Sequence, residues 1–156
     1  MEPIPLSRPD ITDAERSAVA KVLDTPFLSL GPKLPEFESA MASAGGVAHG
    51  VAVNSGTSGL HLILRALGWG EGDEVITTPF SFIASSNCLL FERIKPVFVD
   101  VDPATGNIDP ARIEGAITGR TRGLLVVDVF GQAAAYDAIN AVAEPRGLRI
   151  VEDSCE

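Results

Sequence analysis

The segment with the clearest potential for chemistry joins a short apolar run to a helical pattern and reads Asn54-Ser55-Gly56-Thr57-Ser58-Gly59-Leu60. Free N–H groups at a helix start, together with the positive end of the helix dipole, favour a phosphate. Gly56 lets the backbone approach a ligand closely, and Thr57 and Ser58 add hydroxyl donors. The glycine spacing differs from GxGxxG, and the lysine of a Walker A loop is missing. The pattern predicts a phosphate site, although an ordinary strand-to-helix turn with a Ser or Thr cap explains it equally well.

A second candidate is Asp153, which follows an apolar run and the acidic residue Glu152. Ligands of open α/β sheets bind beyond the carboxyl ends of strands, where an acid is partly desolvated. Desolvation raises the pKa of a carboxyl group unless a cation or hydrogen-bond donors compensate. A protonated heterocyclic nitrogen would be a suitable partner for Asp153. Taken alone, the aspartate is better explained as the N-cap of a helix that follows.

The third candidate is the run Thr77-Thr78-Pro79-Phe80-Ser81-Phe82, which lies between a predicted strand and a predicted helix. One of its two aromatic rings could stack on a planar ligand. Ordinary core packing is the better explanation for these rings when the run is considered by itself.

The remaining reactive residue types give weak signals. His49 and His61 have no metal-ligand spacing, and His61 fits a structural role in an apolar helix. Cys88 and Cys155 form no CxxC pattern, so the sequence indicates neither a zinc site nor a disulfide framework. We expect Cys88 to be a small buried hydrophobe and Cys155 to be exposed without a partner base.

These candidates would be positioned by an alternation of short apolar strands and helices that begins at Val51. Such an alternation predicts an α/β fold with a mostly parallel sheet and helices on both faces. The predicted strands are 51–53, 74–77, 96–101, 123–129 and 149–152, and the predicted helices are 58–67, 81–91, 110–117 and 137–146. Asp100 and Asp102, which precede Pro103, are predicted to form a turn.

Residues 1–50 differ from the rest and are predicted to form an N-terminal arm and two helices. Pro3, Pro5 and Pro9 indicate an extended arm. Thr12 and Glu15 have the spacing of a capping box for a first helix, which continues to residue 23. A second helix is predicted over 35–44. Residues 51–156 then form the α/β domain.

Composition limits the classes of function. The 156 residues are enough for one domain with a core, and their net charge of −9 disfavours nonspecific nucleic-acid binding. No segment has the long apolar run of a membrane helix, and the first residues lack a signal-peptide pattern. We therefore expect a cytoplasmic protein without a membrane partner. A dinucleotide-binding Rossmann domain is disfavoured because GxGxxG is missing after the first predicted strand.

Together, the motifs resemble the DegT/DnrJ/EryC1/StrS family of pyridoxal phosphate (PLP)-dependent sugar aminotransferases. The resemblance covers nearly the whole chain and implies the N-terminal part of the large domain of a fold-type I, aspartate aminotransferase-like enzyme. The segments that carry it are Pro5-Leu6-Ser7-Arg8-Pro9, residues 30–38, residues 54–60, Gly72-Asp73-Glu74-Val75-Ile76, Ser81-Phe82-Ile83-Ala84, Pro96-Val97-Phe98-Val99-Asp100-Val101, Ile108-Asp109-Pro110, Phe130-Gly131-Gln132 and Glu152-Asp153.

The resemblance assigns expected roles to individual residues. It implies that Gly56, Thr57 and Ser58 bind the PLP phosphate, that Phe82 stacks on the pyridine ring and that Asp153 keeps the ring nitrogen protonated. Family members often carry a glutamine that contacts the ring hydroxyl, and Glu156 occupies that position here. The Asp-Ser-Cys sequence followed by this acid is also similar to family members that act as deoxysugar dehydratases.

The resemblance further implies a reaction that this chain alone does not complete. Lys21, Lys33 and Lys95 are the chain's lysines, so the family's Schiff-base lysine is expected beyond Glu156 and no catalytic residue is assigned. We expect a fragment whose parent, as a homodimer, transfers an amino group from an amino acid such as glutamate to a keto-sugar nucleotide. The alternatives are a PLP-dependent deoxysugar dehydratase and a non-catalytic fragment. By itself the chain is expected to be inactive and to expose apolar surface.

Overall fold

The computed structural model describes residues 4–5 and 7–156, so the arm prediction at Pro3 and the family segment at Leu6 lie partly outside the described residues. The chain divides into an N-terminal unit that ends at Ala52 and a sheet unit from Val53 to Glu156. The helices are α1 (Asp13–Leu23), α2 (Lys33–Ala44), α3 (Gly56–Ala66), α4 (Ala84–Phe91), α5 (Pro110–Ala116) and α6 (Tyr136–Ala143). The strands are β1 (Glu74–Thr77), β2 (Lys95–Phe98), β3 (Thr121–Val127) and β4 (Arg149–Asp153), and 3₁₀ turns cover Val129–Gly131 and Glu144–Arg146.

Local signals define the two helices of the N-terminal unit. The capping box at α1 forms as predicted, with Thr12 accepting from the first turn and the Glu15 carboxylate accepting from the Thr12 N–H at 2.6 Å. At the end of the unit, the Glu38 carboxylate accepts a hydrogen bond of 2.9 Å from the Ala52 N–H. Burial is slight, since α1 has no buried residue and α2 has Ala42. The capping box therefore specifies α1 more than a core does, whereas α2 begins after Pro32 without a side-chain cap and ends at Gly45.

The sheet unit is built on four strands in the order β2-β1-β3-β4, and every pairing is parallel. Consecutive strands are joined through helices, as parallel neighbours require. The predicted α/β class, with a mostly parallel sheet, is confirmed. Successive residues of a strand face opposite sides of the sheet, and each side is covered by a different pair of helices.

One side of the sheet packs against α3 and α4, where Leu64 and Leu89 meet Val75 and Leu125. The other side packs against α5 and α6 through a second buried cluster, made of Ile76, Val99, Ile108, Ile113, Leu124, Val126, Ala134, Ile139 and Ala143. The Trp69 ring closes the first cluster over Gly123, where an added Cβ would lie 2.5 Å from the ring and 2.2 Å from the Arg149 carbonyl oxygen. Helices therefore cover both faces, as predicted.

A charged network closes the sheet at the amino ends of its strands. The Glu74 side chain is 1% exposed and accepts from Thr118 Oγ1 at 2.5 Å, Arg120 Nη2 at 2.6 Å and Lys95 Nζ at 3.1 Å. These donors, Thr118 first, lower the pKa of Glu74 to about 2. The network lies at the strand ends opposite to Asp153, so it supports the sheet without entering the candidate site.

The predicted strand at 51–53 is wrong, because these residues form no strand in the structure. An apolar run becomes a strand only when a partner supplies the ladder hydrogen bonds, and no strand of the described sheet pairs with it. The strand predicted for 123–129 ends at Val127, because the chain then turns through the left-handed Phe130. The predicted turn after Asp100 forms, with Asp102 Oδ1 accepting from the Ala104 N–H.

Among the residues that the structure describes, every helix falls short of the length and apolar character that a membrane-spanning helix needs.

Candidate functional site

A cleft of about 200 Å³ opens at the carboxyl ends of β3 and β4, beside the first turn of α3. We call it the Asp153 cleft. This is the edge of a parallel sheet at which ligands bind. Five of the six residues predicted from the sequence to contact a cofactor line this cleft, namely Gly56, Thr57, Phe82, Asp153 and Glu156.

The first turn of α3 supplies hydrogen-bond donors to the cleft. Ser55 is the N-cap, and its Oγ accepts from the Ser58 N–H at 3.1 Å. The N–H groups of Gly56 and Thr57 have no acceptor within the helix, because the first N–H groups of any α-helix lack one. They are therefore available to an anion at the positive end of the helix dipole.

Ser58 is placed differently from its two neighbours. It belongs to the same turn, but its N–H is taken by the Ser55 cap and its hydroxyl lies 3.0 Å from Ser55 Oγ. Its side chain does not line the Asp153 cleft. The phosphate contact of Ser58 therefore stays a prediction, and the geometry gives Gly56 and Thr57 the more direct access.

Asp153 ends β4 as a buried carboxylate that is 7% exposed. Ser85, in the first turn of α4, donates from its Oγ to Asp153 Oδ2 at 2.6 Å. The Ser85 hydroxyl also lies 2.6 Å from that of Ser81. A hydroxyl donor fixes the orientation of the carboxylate while leaving it further acceptor capacity, because a carboxylate has two oxygens and about four lone-pair sites. Sequence reasoning did not identify Ser85, which lies 68 residues from its partner.

Cys155 forms the wall between the helix turn and the carboxylate. An added Cβ on Gly56 would lie 2.7 Å from Cys155 Sγ, so a larger residue at position 56 would displace the Cys155 side chain. A hydrogen bond to Asp153, together with burial, raises the pKa of the Cys155 thiol to about 11. The thiol therefore remains protonated at neutral pH and acts as a weak donor rather than as a nucleophile.

Phe82 is 74% exposed at the mouth of the cleft, so ordinary core packing does not describe it. A large aromatic ring left in solvent beside a buried carboxylate offers a surface on which a planar ligand can stack.

Glu156 also lines the cleft, but its carboxylate is bound to a neighbouring loop. Its Oε2 accepts from the Phe130 N–H at 2.5 Å. The same loop is anchored by Asp128, whose carboxylate accepts from Ser154 Oγ at 2.5 Å and Tyr136 Oη at 3.0 Å. Burial, and then the bond to Asp128, raise the pKa of the Tyr136 hydroxyl above its usual range. The predicted contact between Glu156 and a ring hydroxyl stays a prediction.

The other residues considered in the sequence lie outside the cleft. His61 pairs with Glu92 and meets the Phe91 ring edge-on, which agrees with a structural role. Cys88 is fully buried, and burial raises the pKa of its thiol to about 11. Among the described residues, no group of three or more His, Cys, Asp or Glu side chains is arranged to hold a metal ion.

Comparisons with known proteins agree on one family. The model of the DegT/DnrJ/EryC1/StrS aminotransferase family matches residues 9–156. The spore coat polysaccharide biosynthesis protein SpsC of Bacillus subtilis is 44% identical over 97% of this chain and 39% of its own length. The UDP-2-acetamido-2-deoxy-3-oxo-D-glucuronate aminotransferase of Pseudomonas aeruginosa is 38% identical over 94% of this chain and 41% of its own length.

A solved structure has the same fold. The Streptococcus pneumoniae protein Spr1654 in its PMP form superposes with a TM-score of 0.94 at 33% identity, over 97% of this chain and 42% of that protein. Its PLP form superposes with a TM-score of 0.93. The chain therefore spans about two fifths of the length of the relatives it matches.

Proposed function

Because this chain belongs to the DegT/DnrJ/EryC1/StrS aminotransferase family, we propose that it binds PLP in the Asp153 cleft and serves amino transfer to a keto-sugar nucleotide. One observation carries the proposal. The fold brings free helix N–H groups, an exposed aromatic ring and a buried, oriented carboxylate into a single cleft. The relatives support the same reaction, since one is named as an aminotransferase of a UDP-linked 3-oxo sugar.

The donor set of the cleft fits PLP. The Gly56 and Thr57 N–H groups, with the Thr57 hydroxyl, would hold the phosphate at the start of α3, as helix N-termini hold anions in other proteins. At Gly56 the absence of a Cβ lets the Cys155 side chain pack closely against the first turn of α3. Phe82 would lie against the pyridine ring. These contacts position the group through backbone and hydroxyl donors, without a cationic side chain among the described lining residues.

Asp153 would perform the proton chemistry that this part of the chain contributes. Its carboxylate, oriented by Ser85, would accept from the protonated ring nitrogen and keep the proton on that atom. When bound, PLP supplies an electron sink for amino transfer. Burial strengthens the ion pair at Asp153, because a nearby opposite charge is screened less in a cleft than in water.

The wider reaction and its partners belong to the same proposal. We infer an amino-acid donor such as glutamate, a keto-sugar nucleotide acceptor and a homodimer of the full chain. We also propose that the full chain acts in the cytoplasm.

The proposal is tested with the full chain as its gene encodes it, loaded with PLP and supplied with glutamate and a panel of keto-sugar nucleotides. We expect an absorbance titration to show PLP binding and mass spectrometry to show a gained amine on one sugar. Asp153→Asn should lower the rate of amino transfer by on the order of 100-fold, because it removes the charge that faces the ring nitrogen.

Asp100→Asn is the matched control. Asp100 Oδ1 accepts from the N–H of the next residue in a turn outside the cleft, so its substitution should leave the rate unchanged. Failure to bind PLP, or an unchanged rate for Asp153→Asn, would contradict the proposal. A sugar that loses a hydroxyl group instead of gaining an amine would identify the deoxysugar dehydratase.

A further inference from the structure

A second cleft of about 160 Å³ adjoins the Asp153 cleft and shares Ser81, Phe82, Val127 and Glu156 with it. We call it the Phe130 cleft. Its other walls include the Phe80 and Phe130 rings, which meet edge-on with centroids 5.9 Å apart. Because the two clefts share these residues, the second lies within reach of a molecule that reacts in the first.

The Phe130 ring is held in place at a local conformational cost. Phe130 has φ 55° and is 78% exposed, a combination that is unfavourable for a bulky residue without a constraint. No burial of the ring accounts for the conformation. Strained residues of this kind persist where surrounding contacts fix them, and they concentrate at ligand sites.

Hydrogen bonds to the side chains of Asn107, Asp128 and Glu156 hold the turn that contains Phe130. Asn107, which is 3% exposed, accepts from the Val129 N–H at 2.9 Å and donates from Nδ2 to the Gln132 carbonyl oxygen at 2.9 Å. Asp128 accepts from the Ala134 N–H at 2.9 Å on the far side of the turn. Glu156 accepts from the N–H of Phe130 itself. The turn is therefore fixed on both sides of the exposed ring.

The residues that line the Phe130 cleft favour a neutral ring with hydroxyl groups over the charged groups of the substrates. Its walls are mostly apolar and aromatic, with the Glu156 carboxylate and the Ser81 hydroxyl as polar groups. Ligand sites combine apolar walls with a few oriented polar groups in this way. The Gly56 and Thr57 N–H groups line the Asp153 cleft but not the Phe130 cleft, so in the Phe130 cleft they do not offset the Glu156 carboxylate and an anionic amino-acid donor or a nucleotide phosphate is disfavoured. A neutral ring with one apolar face and hydroxyl groups avoids this repulsion.

We propose that the Phe130 cleft is the subsite for the sugar ring, with Phe130 as a specificity-determining residue. The ring's C–H face lies on the aromatic walls, and a sugar hydroxyl donates to Glu156, whose second oxygen retains acceptor capacity. Glu156 is then a positioning residue for Phe130 and a substrate contact, rather than a partner of a cofactor hydroxyl. This inference rests on the proposed function.

The experiment compares Phe130→Gly and Phe130→Leu in the PLP-loaded full chain, with the keto-sugar nucleotide that the panel identifies. Glycine adopts a positive φ without strain, so Phe130→Gly removes the ring and relieves the backbone together. We expect its KM for the sugar to rise about tenfold, with kcat within about threefold of the unchanged protein, as uniform loss of binding predicts. Phe130→Leu, which keeps apolar bulk, should raise KM less.

Two readouts separate this role from a structural one. The thermal midpoint of Phe130→Gly should be unchanged or higher, and its affinity for PLP should be unchanged. Arg93→Gly is the matched control, because Arg93 has φ 58° and pairs on the surface with Glu71, away from both clefts. It should show the same thermal behaviour with no change in KM.

The results that would contradict the sugar subsite can be distinguished from those that would contradict the proposed function. An unchanged KM for Phe130→Gly in an active enzyme overturns the sugar subsite and leaves the proposed function standing. A lower thermal midpoint, or a parallel loss of PLP affinity, shows that the ring supports the fold or the cofactor cleft, which also overturns it. If the unchanged protein binds no PLP or aminates no sugar, the proposed function fails and this inference fails with it.

Discussion

The N-terminal unit and the sheet unit both contain apolar side chains, but these are buried in the sheet unit and largely exposed in the N-terminal unit. In the sheet unit, strand residues such as Val75 and Leu124 are completely buried between sheet and helices. In the N-terminal unit, α1 buries no residue, and Val19, Leu23 and Phe27 are 61%, 65% and 62% exposed. The sequence thus predicts the start of α1 through its capping box, although the helix buries none of its residues.

The difference in burial means that the two units are stabilised by different interactions. A helix as short as α1 is marginal in water unless an apolar face is packed, so its capping box stabilises it only locally. The sheet unit, by contrast, has the buried core that a candidate site needs to keep its residues in position. We therefore expect substitutions to act globally in the sheet unit and locally in the N-terminal unit.

The largest contrast is expected from shortening one leucine in each unit. Leu125→Ala opens a cavity in the buried cluster between the sheet and the helices α3 and α4, and it should lower the free energy of unfolding by about 2–5 kcal/mol. Leu23→Ala, at an exposed position, should change it by less than about 0.5 kcal/mol. Urea unfolding of both variants measures the difference, and equal losses would show that α1 is packed as part of the core.

A smaller contrast is expected in acid. Because the folded pKa of Glu74 is lowered to about 2 from its ordinary value of 4.5, the ionised network stabilises the fold above pH 4.5 and this stabilisation is lost as the pH falls toward 2. The free energy of unfolding should therefore fall across this window in the unchanged protein. In Glu74→Gln the fall should be smaller.

The control for Glu74 is Glu36→Gln in the N-terminal unit. Glu36 pairs with Lys33 at 2.5 Å, but both side chains are more than 60% exposed. Exposed pairs contribute little to stability, so this variant should keep the acid profile of the unchanged protein. Identical profiles for Glu74→Gln and the unchanged protein would show that the buried network does not control acid stability.

The smallest effect is expected from the cap of α1. Thr12→Ala removes the capping acceptor and should cost about 1 kcal/mol of local helix stability. Amide exchange in α1 should then become faster, while the unfolding transition of the sheet unit stays unchanged. Ser39→Ala, at an exposed position within α2, is the control and should not speed exchange, because alanine favours helix. A shifted global transition for Thr12→Ala would contradict the separation of the two units.

The sequence predicted the sheet unit well because its signals are local and periodic. In the sheet unit, the bounds of β1 match the prediction at both ends, whereas the strand predicted for 96–101 ends at Phe98. In the N-terminal unit, the capping box at Thr12 forms as expected. The strand predicted at 51–53 failed because strand formation depends on a distant partner, which periodicity does not reveal. The Phe130 turn was missed for a similar reason, since the conformation is fixed by Asn107 and Glu156 from other parts of the chain.

For the candidate site as well, the sequence did not predict contacts between residues that are distant in the chain. Residue types and family resemblance were enough to select Gly56, Phe82 and Asp153, which the fold brings to one cleft. They were not enough to find Ser85, the donor that orients the carboxylate, because hydroxyl-to-carboxylate contacts across 68 residues leave no sequence pattern. Ser58 matched the family motif, but its cap geometry turns it toward Ser55.

The most direct test of the central claim is a crystal structure of the full chain grown with PLP. We expect the phosphate within hydrogen-bonding distance of the Gly56 and Thr57 N–H groups, the Phe82 ring against the pyridine ring and the ring nitrogen at the Asp153 carboxylate. PLP bound elsewhere on the protein, or a ring nitrogen facing away from Asp153, would contradict it.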